Sequence, residues 1–280
     1  MTNEGTNPRR ESQAPADCGT GIGFNQELRR ELSYGGSCRM LLQDFVHLTW
    51  DSDFFGATVG RLTLTSRHTS QMIENDLQSL PADVTYIFDD SQNPEVASAL
   101  EQVGALLVDV RLCFARSVRP ARMPANTHRV LAPGSGQLCK LARASGQFSR
   151  FRIDPAFADS ADRFFDRWIC NSLEGKFDDV VLGAFLTREM ISDQTCKGIV
   201  TVRDRVKYGQ IGILSVDASF RGQGVGKTLM LAAEAWCNDR ELAELRVVTQ
   251  NKNQPAVGLY EACGYQRVSR TPVYHYWRGG

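Results

Sequence analysis

The sequence predicts an α/β fold, with short apolar strands alternating with amphipathic helices, and three observations predict it. Residues 211–216 form an apolar, strand-length run. Asp217, Ala218 and Ser219 break that run, and Arg221-Gly222-Gln223-Gly224-Val225-Gly226 then leads into a helical pattern over 227–238. The same exchange of strand and helix signals recurs along 128–280, and a shorter series of it occupies 40–118. With 42% hydrophobic residues in 280, the chain can bury a sizeable core.

The glycine-rich stretch carries the first chemical signal. A strand that turns on glycines into a helix exposes several backbone N–H groups at the positive end of that helix, which suits phosphate or pyrophosphate. Spacing separates the known versions. A P-loop needs a glycine five residues before its Gly-Lys-Ser/Thr. Here Gly226-Lys227-Thr228 is preceded at that position by Arg221, and Gly222 is one residue out of register. The dinucleotide fingerprint needs Gly-x-Gly-x-x-Gly, whereas Gly222, Gly224 and Gly226 give Gly-x-Gly-x-Gly. A tight turn with no ligand stays open as the plainer reading.

From its start, the chain opens with a polar stretch, 1–39, expected to be a poorly ordered tail. It lacks the apolar centre of a signal peptide, and no later segment is long and apolar enough to span a bilayer, so membrane insertion is not expected. A small α/β domain is expected over 40–118. Strands at 45–50 and 58–65 flank Asp51-Ser52-Asp53-Phe54-Phe55-Gly56. Met72, Ile73, Leu77 and Leu80 give helical spacing over 70–80, then come a strand at 84–88, a helix at 94–104 and a long strand at 106–118. Its end, Leu100-Glu101-Gln102-Val103-Gly104-Ala105-Leu106, echoes Leu259-Tyr260-Glu261-Ala262-Cys263-Gly264-Tyr265. A degenerate copy of the second unit and two unrelated α/β hairpins both explain that echo.

Pro120 and Pro124 mark 119–127 as a linker. The second domain, 128–280, reads as strand 129–132, helix 136–144 and a loop over 148–155. Phe164, Phe165, Trp168, Ile169 and Leu173 then give a strong helix over 159–174, before strands at 180–186, 198–202 and 211–216. The glycine turn and its helix, a strand at 245–249, a helix carrying Tyr260 and two closing strands complete it.

Charge and cysteine usage exclude some functions. Lys+Arg and Asp+Glu are both 32, which gives no electrostatic reason to expect nucleic acid or an acidic membrane surface. Eight widely spaced cysteines without a Cys-x-x-Cys pair read as free thiols in a reducing cytoplasm, with no metal site expected. The oligomeric state stays open, a homodimer included.

Two signatures in order, Arg221-x-x-Gly224-x-Gly226 and Asn253-x-x-Ala256-x-x-Leu259-Tyr260-x-x-x-Gly264-Tyr265, resemble those of the GNAT superfamily of N-acetyltransferases. That resemblance implies a mixed twisted sheet with flanking helices, and acetyl-CoA as co-substrate held between two splayed parallel strands. It assigns the pantetheine arm to Leu214, Ser215 and Val216. It assigns the pyrophosphate to the turn of Arg221, Gly222, Gln223, Gly224, Val225, Gly226 and Lys227, and the thioester region to Asn253 and Tyr260. Further segments are similar to the TDP-fucosamine acetyltransferases, which acetylate the 4-amino group of a nucleotide-linked deoxysugar for surface polysaccharides. They are Leu48-Thr49-Trp50-Asp51-Ser52-Asp53-Phe54-Phe55-Gly56, Ser149-Arg150-Phe151-Arg152, Arg163-Phe164-x-x-x-Trp168-Ile169, Gly175-x-Phe177-Asp178, Arg246-Val247-x-Thr249-Gln250-x-x-Asn253 and Tyr276-Trp277. The resemblance runs from 48 to 277.

The expected chemistry follows from that resemblance. A neutral amine attacks the thioester, and backbone N–H groups of a bulged strand around 214–216 stabilise the oxyanion. Tyr260 protonates the departing thiolate, or else is a helix tyrosine packed on the sheet. Asn253 touches the pantetheine, caps its helix, or both. Arg221 faces a phosphate or merely closes the turn. No base is evident: His275 is a candidate only by its place on the last strand, and a water chain would serve an amino sugar. Arg150, Arg152 and Asp154 face the sugar nucleotide, or form a solvated loop. Other small-molecule or peptide amines, and a non-catalytic CoA-binding protein, remain the alternatives.

Overall fold

Strands from both expected domains join in one mixed sheet. The structure, a computed structural model, describes residues 38–131, 136–186 and 196–279, with side chains from Leu41 onward. The tail expected over 1–39 lies outside the described residues apart from Cys38 and Arg39. The strands are β1 (Phe45–His47), β2 (Val59–Leu64), β3 (Val84–Asp89), β4 (Leu106–Ser117) and β5 (Thr127–Arg129), then β6 (Val180–Phe185), β7 (Cys196–Asp204), β8 (Tyr208–Val216), β9 (Glu244–Gln250) and β10 (Gln266–Trp277). Their order across the sheet is β1-β2-β3-β10-β4-β9-β8-β7-β6-β5.

The centre of that order decides the architecture. The last strand, β10, lies antiparallel between β3 and β4, and β4 lies antiparallel to β9. The residues expected to form a separate N-terminal domain therefore share a hydrogen-bonded ladder with the C-terminal strands. The 119–127 segment does cross between them without regular structure until β5 begins. The two expected closing strands are instead one strand: β10 runs unbroken and absorbs its irregularities as register shifts at Arg267/Ser269 and Val273/Tyr274.

Ten helices flank the sheet within the described residues: α1 (Cys38–Asp44), α2 (Thr49–Phe55), α3 (Ser70–Asp76), α4 (Pro94–Gln102), α5 (Gly136–Ser145), α6 (Arg150–Ile153), α7 (Pro155–Ala158), α8 (Ala161–Leu173), α9 (Val225–Asn238) and α10 (Gln254–Ala262). Side chains set their ends. Asn93 accepts from the Glu95 N–H at the start of α4, where Pro94 needs no donor, and Thr69 caps α3 through the Met72 N–H. The strand expected over 45–50 stops at His47, because Thr49 to Phe55 coil into α2. That helix ends on Gly56 at φ +68°, and Ser52 Oγ accepts from the Val59 N–H beyond it. The loop expected over 148–155 likewise contains α6 and the start of α7.

Each face of the sheet buries its own core. One face packs α2 and α5–α8 around a cluster of aromatic rings, including Tyr86, Phe151, Phe157, Phe164 and Phe177. Trp50 stacks on Phe54 with ring centres 5.2 Å apart, and Phe151 meets Phe164 at 4.5 Å. Each such buried ring contributes about 1.5–3 kcal/mol, so this cluster fixes α2 against α8. The opposite face is covered by α9 and α10 over β4, β8 and β9, and by α1, α3 and α4 over β2 and β3.

Candidate active site

The site begins where two parallel strands part. β8 and β9 pair from Tyr208↔Glu244 to Ile211↔Val247 and no further. Beyond that, β8 continues against β7 and β9 against β4. The backbone groups of 212–216 that point towards β9 thus face an opening rather than a ladder. The register shift in β8 falls at Gly212–Ile213, not around 214–216 as expected, since Val200↔Leu214 and Val202↔Ile211 flank it. Its cause is local. A Cβ on Gly212 would sit 2.9 Å from both the Asp178 carboxylate and the Thr201 hydroxyl. The Ile213 N–H donates to that Thr201 hydroxyl at 2.8 Å, so this amide is committed to the fold.

The turn after β8 is held by Asp217. Its carboxylate accepts from the Ser219 N–H at 3.0 Å, and from Gln137 Nε2 and Lys140 Nζ at 3.2 Å. The Ser219 N–H, then Gln137, hold it at about 2, well below its ordinary range. Arg221 folds back, its Nε donating to the Val216 carbonyl at 3.2 Å, and Gln223 donates to the Ser219 carbonyl at 3.0 Å. Both side chains close the turn. Gly224 is the N-cap of α9 at φ +82°, a conformation that disfavours other residues, and offers no side chain to the first-turn N–H groups. Arg221 to Gly224 and Lys227 are exposed, whereas Val225 is buried. Gly226 lies against α10, where an added Cβ would meet Leu259 at 3.0 Å. The result is a set of bare N–H groups opening beside the splay, and this fits the pyrophosphate of acetyl-CoA.

Across the opening, Asn253 caps α10 by accepting from the Ala256 N–H at 3.3 Å, while its own N–H donates to the Gln250 carbonyl. The cap role expected for it is therefore filled. Tyr260 is 4% exposed, with its ring 5.6 Å from Phe114. Burial, then the nearby Cys263, push its phenol well above the ordinary tyrosine value. Tyr260 thus stays protonated near neutrality, as a proton donor must. The end of α10 is anchored to β4 and α9. Arg116 donates to the Cys263 carbonyl at 2.5 Å and pairs with the buried Glu234, which also accepts from the Tyr265 hydroxyl at 2.9 Å.

The three residues expected on the acceptor side do not converge. Asp154 is turned inward: it caps α7 and accepts from His275 Nδ1 at 2.7 Å and Trp277 Nε1 at 3.0 Å. Burial pushes its carboxyl up, yet those bonds prevail and hold it below its ordinary value. Arg152 donates to the Gly146 carbonyl at 3.1 Å and pairs with Asp162 at 2.5 Å, tying α6 to α8. Arg150 alone points to the sheet, buried against the rings of Tyr86 and Phe151 at 4.6 and 4.5 Å. His275 is buried against Tyr86 in that core, with ring centres 4.6 Å apart.

The sequence reasoning missed an open cleft on the α5–α8 face, beside the splay. Its walls include Arg61, Arg111, Gln210 and Arg246, from four different strands. The signal was present as alternation, since Arg111 and Cys113 interleave with the buried Leu112 and Phe114.

Comparison with known proteins agrees with this geometry. The profile of the Acetyltransferase (GNAT) family matches residues 147–265. The dTDP-fucosamine acetyltransferase of Escherichia coli O6:H1 is 30% identical over 220 residues, which is 78% of this chain and 91% of that one. A mycothiol acetyltransferase of Saccharomonospora viridis is 23% identical over 253 residues, covering 83% of this chain and 79% of that one. Both alignments are longer than 128–280, so they extend into the N-terminal strands. Among solved structures, a functionally unknown conserved protein from Staphylococcus epidermidis shares the fold with a TM-score of 0.54 at 14% identity, over 79% of this chain and 84% of that one.

Proposed function

This chain belongs to the GNAT family of N-acetyltransferases, and from that premise we propose that its acceptor is the amino group of a nucleotide-linked amino-deoxysugar. We take the acceptor to be of the dTDP-4-amino-4,6-dideoxyhexose type used in surface-polysaccharide synthesis. The observation that carries the reading is the 30% identity to a dTDP-fucosamine acetyltransferase across 91% of its length. That span takes in the N-terminal strands as well as the acetyltransferase core.

The acetyl-CoA co-substrate supplies an activated acetyl thioester when bound. Every other part of the reaction falls to this chain. The bare first turn of α9, capped by Gly224, would hold the pyrophosphate, with Lys227 adding charge. Backbone groups of Leu214 and Val216 face the splay and would pair with the pantetheine amides, whereas Ser215 between them is turned to β7, as Ile213 and Asp217 are. Leu214 and Val216 would also supply the donors for the oxyanion, since the Ile213 N–H is engaged by Thr201 and is not one of them. Tyr260, kept protonated by burial, would donate its phenolic proton to the leaving sulfur. The acceptor amine must arrive neutral, and a sugar amine is less basic than a lysine side chain. Among the described residues no helix is long and apolar enough to cross a membrane. We assign the reaction to the cytoplasm.

The test is acceptor-dependent release of CoA thiol, measured across dTDP- and UDP-linked amino sugars, free amino sugars, amine antibiotics and peptides. The proposal expects release with a nucleotide-linked amino sugar at a kcat/KM far above the other classes. Preference for a peptide or an unphosphorylated amine would overturn it.

A further inference from the structure

We propose that the sheet face shared by the N-terminal strands and β8–β9 is a nucleoside-diphosphate site, in which Arg61, Arg111 and Arg246 grip the diphosphate. The nucleotide part rests on the acceptor reading above; the anion site rests on the cleft itself.

The cleft has a volume of about 160 Å³ and is open to solvent along one side. Its walls come from β2, β3, β10, β4, β9 and β8, neighbours in that order. Five inter-strand steps of ~4.8 Å give a floor roughly 24 Å long, enough for a base, a ribose, a diphosphate and a sugar in line. All the floor side chains emerge on one face. Arg61 alternates with the buried Leu62, Arg111 with Leu112, and Arg246 with Leu245 and Val247, which belong to the cores beneath. Neither half of the chain makes this floor alone, because Arg61 and Arg111 precede residue 119 and Arg246 follows it.

The chemistry is that of an anion site with aromatic walls. Arg246 lies 4.2 Å from the Tyr208 ring centre, and Arg111 lies 5.6 Å from that of Phe88. Arg150 backs the same Phe88 ring at 5.7 Å. Stacking on a ring keeps a guanidinium flat and orients its fork for two oxygens at once. Three carboxylates stand at the cleft and offset part of this charge, each with a partner of its own. Asp90 accepts from the Thr271 hydroxyl at 2.5 Å, Glu244 is paired with Arg246, and Asp51 is buried within reach of Arg61. The cations repel one another. Burial, then Arg111 and Arg150, hold the Arg61 guanidinium below its ordinary value, with Asp51 acting the other way. A diphosphate between them would relieve that repulsion.

The position suits the reaction. Gln210 and Arg246 face each other in the ladder one step before the last β8–β9 pair. An acceptor anchored on Arg246 and Arg111 would therefore present its sugar at the opening where the strands part. In this arrangement the N-terminal strands supply half of the acceptor grip.

The experiment is calorimetric titration of the full chain with inorganic pyrophosphate, dTDP and UDP, without turnover, for wild type and for Arg111→Gln and Arg246→Gln. Acetyl-CoA affinity and melting temperature serve as folding controls. Wild type should bind dTDP or UDP more tightly than pyrophosphate. Each variant should weaken that binding by ~10-fold or more, with acetyl-CoA affinity kept, and Arg111→Lys should fall between. Wild-type failure to bind any of the three overturns the proposal, as does unchanged binding in variants that keep their acetyl-CoA affinity. The acceptor reading fails separately. Pyrophosphate binding that needs Arg111 and Arg246, without acetylation of any nucleotide amino sugar, would leave the anion site standing and remove its nucleotide. Acetylation of a nucleotide amino sugar with unchanged KM in both variants would do the reverse.

Discussion

Gly224 separates the anion-binding account from ordinary fold stability, because two substitutions there should move in opposite directions. The residue sits at φ +82° with no atom within 4 Å of where a Cβ would lie. Gly224→Ala therefore makes no clash and costs only the left-handed backbone, about 1–2 kcal/mol. Gly224→Asp tolerates that conformation better, and its carboxylate can cap the first-turn N–H groups, so the fold should lose less. Binding should reverse the ranking. A carboxylate about 4 Å from a bound phosphate costs between ~1 kcal/mol at the dielectric of water and ~4 kcal/mol near a protein surface, or ~5- to ~1,000-fold in Kd. The assay is a thermal melt with acetyl-CoA at about a hundred times the wild-type Kd. Linkage there is worth about 2.7 kcal/mol, or about 5–10 °C in Tm. For the aspartate variant, a ~100-fold weaker Kd leaves ~0.4 kcal/mol, about 1 °C. The alanine variant should melt earlier yet keep most of its shift. An aspartate variant with the full wild-type shift would refute the reasoning.

Tyr260→Phe keeps the buried ring and removes the hydroxyl. Stability and acetyl-CoA affinity should hold while kcat falls by roughly 10²-fold, the lower end for general acid catalysis because a thiolate leaves readily. A variant within about threefold of wild type would show that the hydroxyl is not the acid. Arg152→Ala breaks the bonds to Gly146 and Asp162, so urea unfolding should show about 1 kcal/mol of lost stability with KM for the acceptor little changed. Asp217 has its folded pKa depressed to about 2 from an ordinary 3.8. Its contribution to stability is therefore full above about 4 and is lost as pH falls towards 2. Melting curves of wild type and Asp217→Asn should differ at neutral pH and converge near pH 2; a constant gap would assign the difference to packing.

Much of this was legible locally. Strand 211–216, the glycine turn, the helix after it and the cap at Asn253 each depend on neighbours within a few residues, and each lies where the pattern put it. The misreadings share a cause. Thr49 to Phe55 carries β-favouring aromatics, and its helical state is decided by packing of Trp50, Phe54 and Phe55 against α8 and α6; Gly56 was the local clue. The shared sheet depends on β10 pairing with strands more than 150 residues earlier, which no local pattern encodes. Arg152 and Asp154 were grouped with Arg150 by proximity in sequence, but α6 and α7 turn them to different partners. The arginine cleft was hidden for the same reason: its members stand on β2, β4 and β9 and come to one face only when the sheet assembles.

The central claim is acetyl transfer from acetyl-CoA to the amine of a nucleotide-linked amino sugar, and product identity tests it most directly. The full chain would be incubated with carbonyl-labelled ¹³C-acetyl-CoA and dTDP-4-amino-4,6-dideoxygalactose, and the product followed by carbon NMR. The account predicts an amide carbonyl on the sugar nitrogen that grows as CoA thiol is released. It predicts far slower growth of that signal in Gly224→Asp at an acetyl-CoA concentration near the wild-type Kd. A protein that binds acetyl-CoA with wild-type affinity but forms no labelled amide on this or any other nucleotide amino sugar would contradict it.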